Sequence, residues 1–286
     1  MSSKVDGIRS VSFGVADPHK TAKFFSEIWG LGVAGQSGDD IYLRGTGSYS
    51  HIVSLHQRPA TEMIELSLSS PDRAGVDESH RAVTGAGCEA TQPGSVDQVG
   101  GGYGFTFVDP DGRRVRIVAE DVRHRDTAEQ LDKPVRIGHV VLISPDFKAI
   151  GKFYCDVLGF EVRNQTPRNV FIRCNSDHHN IAFFGGDGST LDHVAFLMPE
   201  VNSVVRGVTR MNANGYHMGW GVSQHGDGED VYAYFCGPDG LCIEYTTKVD
   251  PGWGGNKGEI EHWDVAEIAT DQLNANRKKI PFRASA

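Results

Sequence analysis

The pattern of hydrophobic and polar positions occurs twice along the chain. Residues 8–33 (IRSVSFGVADPHKTAKFFSEIWGLGV) and residues 137–162 (IGHVVLISPDFKAIGKFYCDVLGFEV) each place a short apolar run before a turn and a segment with helical spacing. At an offset of 129 the copies share the pairs Phe24 and Phe153, Gly30 and Gly159, and Val33 and Val162. An internal repeat of this kind predicts two copies of one structural unit.

In the second copy the spacing predicts a strand, a helix and three further strands. The helix is expected over residues 147–158, where apolar residues recur every three or four positions, and Gly159 ends it. The predicted strands are 139–142, 160–164, 169–174 and 179–184. A second round follows: a strand at 191–198, a helix at 200–214, and a hairpin of 231–236 and 241–247 around a G-P-D-G turn.

We therefore predict an α+β fold with two tandem domains, each made of two β-α-β-β-β modules. Such paired modules form a curved sheet around an open cup, and cups hold ligands. The predicted domains are residues 1–122 and residues 136–250, joined by a polar linker at 123–135 and followed by a tail at 251–286. The glycine-rich stretch 94–104 is predicted to be a mobile loop.

Composition excludes several classes of protein. With 39% hydrophobic and 23% charged residues the chain is predicted to be globular, and its net charge of −9 argues against nucleic acid and against a polybasic membrane contact. No apolar run is long enough to span a membrane, and the first residues do not resemble a secretory leader. Five cysteines without C-x-x-C spacing predict reduced thiols in the cytoplasm rather than a zinc cluster.

Only the second copy carries a set of metal-ligating side chains. Residues 107–116 (FVDPDGRRVR) and 235–244 (FCGPDGLCIE) correspond at an offset of 128. The second copy contains His139, His193 and Glu244, and the corresponding positions of the first are Ser10, Glu65 and Arg116. Duplication followed by loss on one side predicts that the first half is a scaffold and the second performs chemistry.

The three residue types predict the metal. Glu244 lies in a predicted half-buried strand, where a carboxylate requires a partner or a metal. Two imidazoles and one carboxylate on one side of an ion leave further positions open, an arrangement that suits Fe(II) and accepts Mn(II). A structural zinc site would instead use four protein ligands.

A further set of residues resembles a known family signature. His225, Tyr234, Pro238, Gly240 and Glu244 occur in the order and at the spacing of the type I extradiol ring-cleavage dioxygenases of the vicinal oxygen chelate superfamily, such as catechol 2,3-dioxygenases and dihydroxybiphenyl dioxygenases. The H-H-x-x-A-F segment at 178–183 is also similar to that family. Two positions depart from the signature: Ala233 replaces a bulky aliphatic residue, and Gly237 replaces an aspartate or threonine.

The resemblance implies a role for each residue. His139, His193 and Glu244 would bind Fe(II), His179 would be the acid–base residue beside bound oxygen, and His225 and Tyr234 would hold the hydroxyl side of the substrate. The implied reaction opens the ring of a substituted catechol outside its diol with O2, and gives a muconic semialdehyde-type product in aromatic catabolism. The family also implies a homo-oligomer.

Two other functions of the same fold stay open. One is a metal-dependent isomerase or lyase that resembles glyoxalase, whose four ligands usually come in pairs from two modules; Ser10 and Arg116 cannot supply the missing pair. The other is a metal-free protein that sequesters ligands. Retention of the three candidate ligands in one half argues against it.

Overall fold

The computed structural model describes residues 4–225, 230–247, 261–262 and 280–281. The first half contains β1 (Gly7–Val15), α1 (Pro18–Lys23, continued by a π-helical turn at Phe24–Trp29), β2 (Gly32–Ser37), β3 (Asp40–Arg44), β4 (Val53–Gln57), β5 (Glu62–Ser69), α2 (Arg73–Gly85), β6 (Gly94–Ser95), β7 (Tyr103–Val108) and β8 (Arg114–Ala119).

The second half repeats this order. It contains β9 (Arg136–Ser144), α3 (Phe147–Leu158), β10 (Glu161–Gln165), β11 (Asn169–Arg173), β12 (Ile181–Gly185), β13 (Thr190–Met198), α4 (Val201–Ala213), β14 (Met218–Gln224), β15 (Val231–Cys236), a 3-10 turn at Pro238–Gly240, and β16 (Cys242–Thr247). Two-residue strands β17 (Glu261–His262) and β18 (Ile280–Pro281) add to the second sheet.

Each half forms one curved sheet. The strand orders are β2-β3-β4-β1-β5-β8-β7-β6 and β14-β15-β16-β13-β9-β12-β11-β10-β17. In both sheets the first strands of the two modules pair antiparallel at the centre, and each also pairs parallel with the last strand of its own module. The predicted α+β fold with four β-α-β-β-β modules is confirmed.

Local signals explain the helices. Helix α3 begins after Asp146, whose carboxylate accepts a hydrogen bond from the backbone N–H of Ala149 at 3.0 Å. It ends at Gly159, whose φ of +80° is readily adopted by glycine. Its buried face includes Ile150 and Tyr154, which pack in the core shared by both halves.

Side-chain contacts join the two halves. Trp29, at the end of the π-helical turn, stacks on Tyr245 of β16 with 3.7 Å between ring centroids, and the Tyr245 hydroxyl donates to the Trp29 carbonyl oxygen at 2.7 Å. On the other side, the buried Arg113 donates to the carbonyl oxygen of Ile143 at 2.6 Å. The core is therefore continuous between the first and second halves.

Two local predictions are wrong in detail. The strand predicted at 179–184 begins only at Ile181, because residues 174–180 form a series of bends before it. Residues 94–104 were predicted to be a loop, but Gly94 and Ser95 pair with Gly104 and Tyr103.

The domain bounds stay predictions. Residues 123–135 contain no helix or extended strand, in agreement with a linker, and only 261–262 and 280–281 of the predicted tail lie within the described residues. Among the residues that the structure describes, no helix is long and apolar enough to cross a membrane.

Candidate metal centre

The three candidate ligands lie on the three central strands of the second sheet. His139 of β9 and Glu244 of β16 both stand opposite Ala195 of β13, one on each side. His193 precedes Ala195 by two residues, and side chains two apart along a strand share a face. The sheet therefore presents all three side chains together on its concave face.

The ligand atoms are close enough for one ion. The Nε2 atoms of His139 and His193 lie 3.3 and 3.2 Å from Oε2 of Glu244, and 3.4 Å from each other. Ligands bound at roughly 2.0–2.2 Å to one ion stand about 3 Å or slightly more apart. All three residues are buried.

The carboxylate of Glu244 lacks an ordinary partner. Within the described part of the chain neither of its oxygens accepts a hydrogen bond of normal geometry, although the residue is fully buried. Burial by itself would raise the pKa of Glu244, but the facing His139 and His193 outweigh burial and hold this pKa well below its ordinary value. A buried anion of this kind is a suitable ligand for a divalent cation.

A neighbouring carboxylate orients His193. Oδ1 of Asp192 lies 2.7 Å from Nδ1 of His193, so this nitrogen carries a hydrogen and Nε2 is the nitrogen that faces Glu244. Burial lowers the pKa of His193, but Asp192 and Glu244 reverse that effect and raise it to about 9. Sequence reasoning missed Asp192, because adjacent strand residues usually point to opposite faces.

His179 lies beside the three candidate ligands. Its ring centroid is 4.2 Å from that of His139, and its Nδ1 is 3.0 Å from Nδ1 of His178. Both histidines precede β12, so the alternation of faces along a strand does not apply to them. Burial, reinforced by His139, lowers the pKa of His179 well below its ordinary value, and its ring is neutral at physiological pH.

His225 and Tyr234 occupy another side of the same cluster. Nε2 of His225 lies 3.2 Å from the Tyr234 hydroxyl and 3.9 Å from Oε1 of Glu244. Tyr234 stands opposite Glu244 in the hairpin of β15 and β16, and its ring contacts His193 edge-on at 5.0 Å. Burial, followed by the charge of Glu244, raises the pKa of Tyr234 well above its ordinary value, so its hydroxyl stays protonated.

Two further residues belong to this environment, and sequence reasoning missed both. Asp230 is buried, accepts a hydrogen bond from Thr246 at 2.5 Å, and forms a second group of close potential ligands with His225 and Glu244. Trp220 stacks on Tyr234 at 5.1 Å. In contrast, His217, in the histidine-rich second half, is exposed to solvent away from the cluster.

The first sheet holds an ion pair at the corresponding place. Arg116 donates to Glu65 through Nε at 2.6 Å and through a terminal nitrogen at 3.0 Å. The strand registers also match His51 to His179, since Val53 stands opposite Val11 as Ile181 stands opposite Val140. His51 was not recognised in the sequence, because the loop between β3 and β4 is one residue longer than the loop between β11 and β12.

The residues fit a divalent metal. Three buried donors of the nitrogen and oxygen types preferred by Fe(II), Mn(II) and Zn(II) converge within bonding reach of one point. Among the described residues, which include all five cysteines, no group of close ligands includes a cysteine and no disulfide forms.

Comparisons with known proteins now place the chain in a family. The family profile described as Glyoxalase/Bleomycin resistance protein/Dioxygenase superfamily matches residues 136–245, which include all three candidate ligands. A Mn(II)-bound glyoxalase from Novosphingobium aromaticivorans is 32% identical, with a TM-score of 0.86, over 98% of this chain and 95% of that one. The chain belongs to this superfamily.

Two further proteins share less sequence with this chain. Metapyrocatechase 2 of Cupriavidus necator is 29% identical over 144 residues, which are 49% of this chain and 43% of that protein. The chain spans about half the length of the first curated relatives it matches. Homoprotocatechuate 2,3-dioxygenase of Arthrobacter globiformis, 23% identical with a TM-score of 0.84 over 93% of this chain and 86% of that one, shares the fold.

Proposed function

We propose that the chain is an extradiol dioxygenase that cleaves a substituted catechol with O2 at a mononuclear Fe(II). The observation that carries this proposal is the convergence of His139, His193 and Glu244 at one point, with His179 and Tyr234 beside them. The similarity to a metapyrocatechase over 144 residues supports it.

His139, His193 and Glu244 would hold the metal. When bound, Fe(II) would supply Lewis acidity toward the diol oxygens and the electrons that O2 requires. Three protein ligands leave positions for both reactants. A bound divalent ion carries two positive charges, and Glu244 would neutralise only one of them. The site would therefore stay cationic, which would favour an anionic catecholate over the neutral diol.

His179 would act as the acid–base residue. A buried imidazole that is neutral at physiological pH can take a proton from a substrate hydroxyl and return it at a later step. Phe171 packs edge-on against its ring at 5.0 Å, and His139 lies on another side, so the ring has a fixed orientation. An imidazole ring that is already held in one orientation favours productive proton transfer.

Tyr234 and His225 would hold the substrate from another side. The Tyr234 hydroxyl stays protonated, so it can donate a hydrogen bond to a substrate oxygen on which negative charge develops. His225, at 3.2 Å, would then accept from or donate to the same network. Trp220 adds an aromatic wall against which a catechol ring can pack.

The direct test combines metal analysis with oxygen uptake. Protein purified without oxygen is loaded with Fe(II) or with Mn(II), and mixed with catechol, 3-methylcatechol and 2,3-dihydroxybiphenyl. We expect one O2 consumed for each diol and a yellow ring-opened product. Absence of both oxygen uptake and colour across the panel, in protein that contains stoichiometric metal, would refute the proposal.

A second candidate is a glyoxalase-like isomerase or lyase. The observation that favours it is the 32% identity to a Mn(II)-bound glyoxalase over nearly the whole chain. A glyoxalase-like site usually draws four ligands in pairs from two modules. This chain does not fit that arrangement, because its first sheet has Ser10, Glu65 and Arg116 at the corresponding positions. Turnover of a hemithioacetal without oxygen demand, with Mn(II) or Ni(II), would establish this candidate instead.

Assembly and location stay predictions. The resemblance implies a homo-oligomer, and the cysteine usage agrees with a reducing cytoplasm. Analytical ultracentrifugation of the metal-loaded protein measures the first directly.

A further inference from the structure

A large cavity lies on the concave side of the first sheet, away from the candidate metal centre. Its volume is about 640 Å³, within the range of pockets that bind small molecules. The cavity beside His139 and His179 has a volume of about 40 Å³.

A buried glutamate faces two of the arginines that line this cavity. Glu65 is 3% exposed, and its carboxylate accepts from Arg116 at 2.6 and 3.0 Å and from Arg114 at 3.2 Å. One carboxylate thus faces two guanidinium groups. Arg116 is mostly buried, whereas the side chain of Arg114 is 51% exposed.

Other side chains around the cavity have partners of their own. Arg58 pairs with Glu62 at 3.4 Å, and His56 contacts Asp40 at 2.9 Å. Glu89 and Arg114 are both exposed to solvent, which screens their charges. The cavity therefore offers an anion the N–H donors of its guanidinium groups rather than a surplus of charge.

The geometry points to an organic carboxylate as the ligand of this cavity. Guanidinium groups present planar N–H pairs that match a carboxylate, and Arg114 and Arg116 each have N–H groups beyond those that bind Glu65. Ile64 and Val108, both half-buried, line the same space and offer apolar contact to the body of an organic acid. Ser12 and Thr106 add hydroxyl groups.

This inference does not depend on the proposed reaction. The first half is built as a cup by the same modules as the second, and it replaces a metal site with a charge arrangement suited to an anion. We infer that duplication left two ligand sites of different chemistry rather than one site and an inert scaffold.

The test measures benzoate binding by isothermal titration calorimetry at low ionic strength, on the metal-loaded full chain. Arg116→Gln removes one guanidinium and is expected to weaken binding about tenfold or more. Glu65→Gln leaves both guanidinium groups without a competing carboxylate and is expected to tighten binding. A purely structural ion pair predicts no such opposite response.

Controls separate binding from folding. Arg81→Gln changes an exposed arginine of α2 outside the cavity and should leave benzoate binding unchanged. Ile64→Trp places a bulky ring in the cavity without altering charge and should weaken binding while far-ultraviolet circular dichroism and metal content stay at wild-type values. No benzoate binding to the wild type, or equal binding to wild type, Arg116→Gln and Ile64→Trp, would overturn the inference. Binding of inorganic phosphate without binding of benzoate would overturn the assignment to organic acids.

Discussion

The two sheets treat an acidic side chain inside the cup in opposite ways. In the second sheet Glu244 faces two histidine nitrogens at 3.2 and 3.3 Å, and in the first Glu65 faces Arg116 at 2.6 Å. The permanently charged Arg116 neutralises Glu65. Glu244 instead faces histidines, whose charge depends on pH. The comparison shows that one fold can keep a buried anion either by an internal salt bridge or by an exchangeable ion.

The two sheets also differ in the strand that pairs with each last strand. In the first sheet Thr106 occupies the position of Tyr234, since each stands opposite the last-strand residue Arg116 or Glu244. Around the candidate metal centre Trp220, Tyr232 and Tyr234 pack together as a small aromatic cluster. At this position the second sheet has a large ring and the first has a small hydroxyl residue.

Loss of a proposed metal ligand should have the largest effect. We expect His193→Ala to lose activity and to bind metal more than about 100-fold more weakly, because even outer hydrogen-bond partners of ligands account for 10- to 100-fold. Metal content after dialysis, measured by inductively coupled plasma mass spectrometry, checks this. His217→Ala changes an exposed histidine of the same half and should retain both properties. Full metal content in His193→Ala would contradict the assignment.

Loss of the proposed acid–base residue should reduce turnover and spare the metal. His179→Gln is expected to lower kcat by about 10²- to 10⁴-fold, the usual contribution of general acid–base catalysis. Steady-state oxygen uptake and metal analysis on the same sample measure this, with His217→Gln as the matched control. If His179→Gln lost its metal, the residue would be a ligand and the proposed role would be wrong.

The ion pair of the first sheet should matter for stability rather than for metal binding. Arg116→Leu leaves the buried Glu65 with Arg114 alone and is expected to lower the free energy of unfolding by about 3 kcal/mol. Urea denaturation measures the change, and Arg81→Leu controls for the loss of an exposed arginine. A drop in metal content with unchanged stability would break the contrast between the two sheets.

The smallest expected effect concerns pH. Burial, reinforced by Arg9, lowers the pKa of His51 to about 2, whereas an unfolded histidine titrates near 6.5. The unfolded chain therefore binds the extra proton, so stability contributed by the neutral ring decreases as the pH falls below about 6.5.

From pH 6.5 to 5 this decrease amounts to about 1.5 kcal/mol. His51→Asn, which can still donate to the carbonyl oxygen of Val99 as Nδ1 does at 3.0 Å, should lack that component. The exposed His19→Asn serves as the control. Parallel pH dependence of unfolding in wild type and His51→Asn would show that the ring is protonated in the folded chain.

The sequence alone was sufficient to predict the repeated modules and the positions at which the two copies differ. The order of the modules and helix α3 follow from apolar spacing together with Asp146 and Gly159. The proximity of His139, His193 and Glu244 follows because the three residues lie on neighbouring central strands of one curved sheet.

Features set by strand register and tertiary packing could not be predicted. Asp192 reaches His193 because β13 has a register shift between Leu191 and His193, which no local pattern indicates. The π-helical turn at Phe24–Trp29 arises where the backbone N–H groups of Gly30 and Leu31 both bond to the carbonyl oxygen of Phe25. The cavity of the first half depends on Thr106 facing Arg116 across two strands.

The stacking of Trp29 on Tyr245 has a consequence for the evolution of the chain. Tyr245 follows Glu244 directly, so the strand that carries the carboxylate is held in place from behind by a helix of the other copy. A gene shortened to its second copy would strip that support and expose a large aromatic surface to water. The first copy therefore supports the strand that carries Glu244, although it has Ser10, Glu65 and Arg116 at the positions of the candidate ligands.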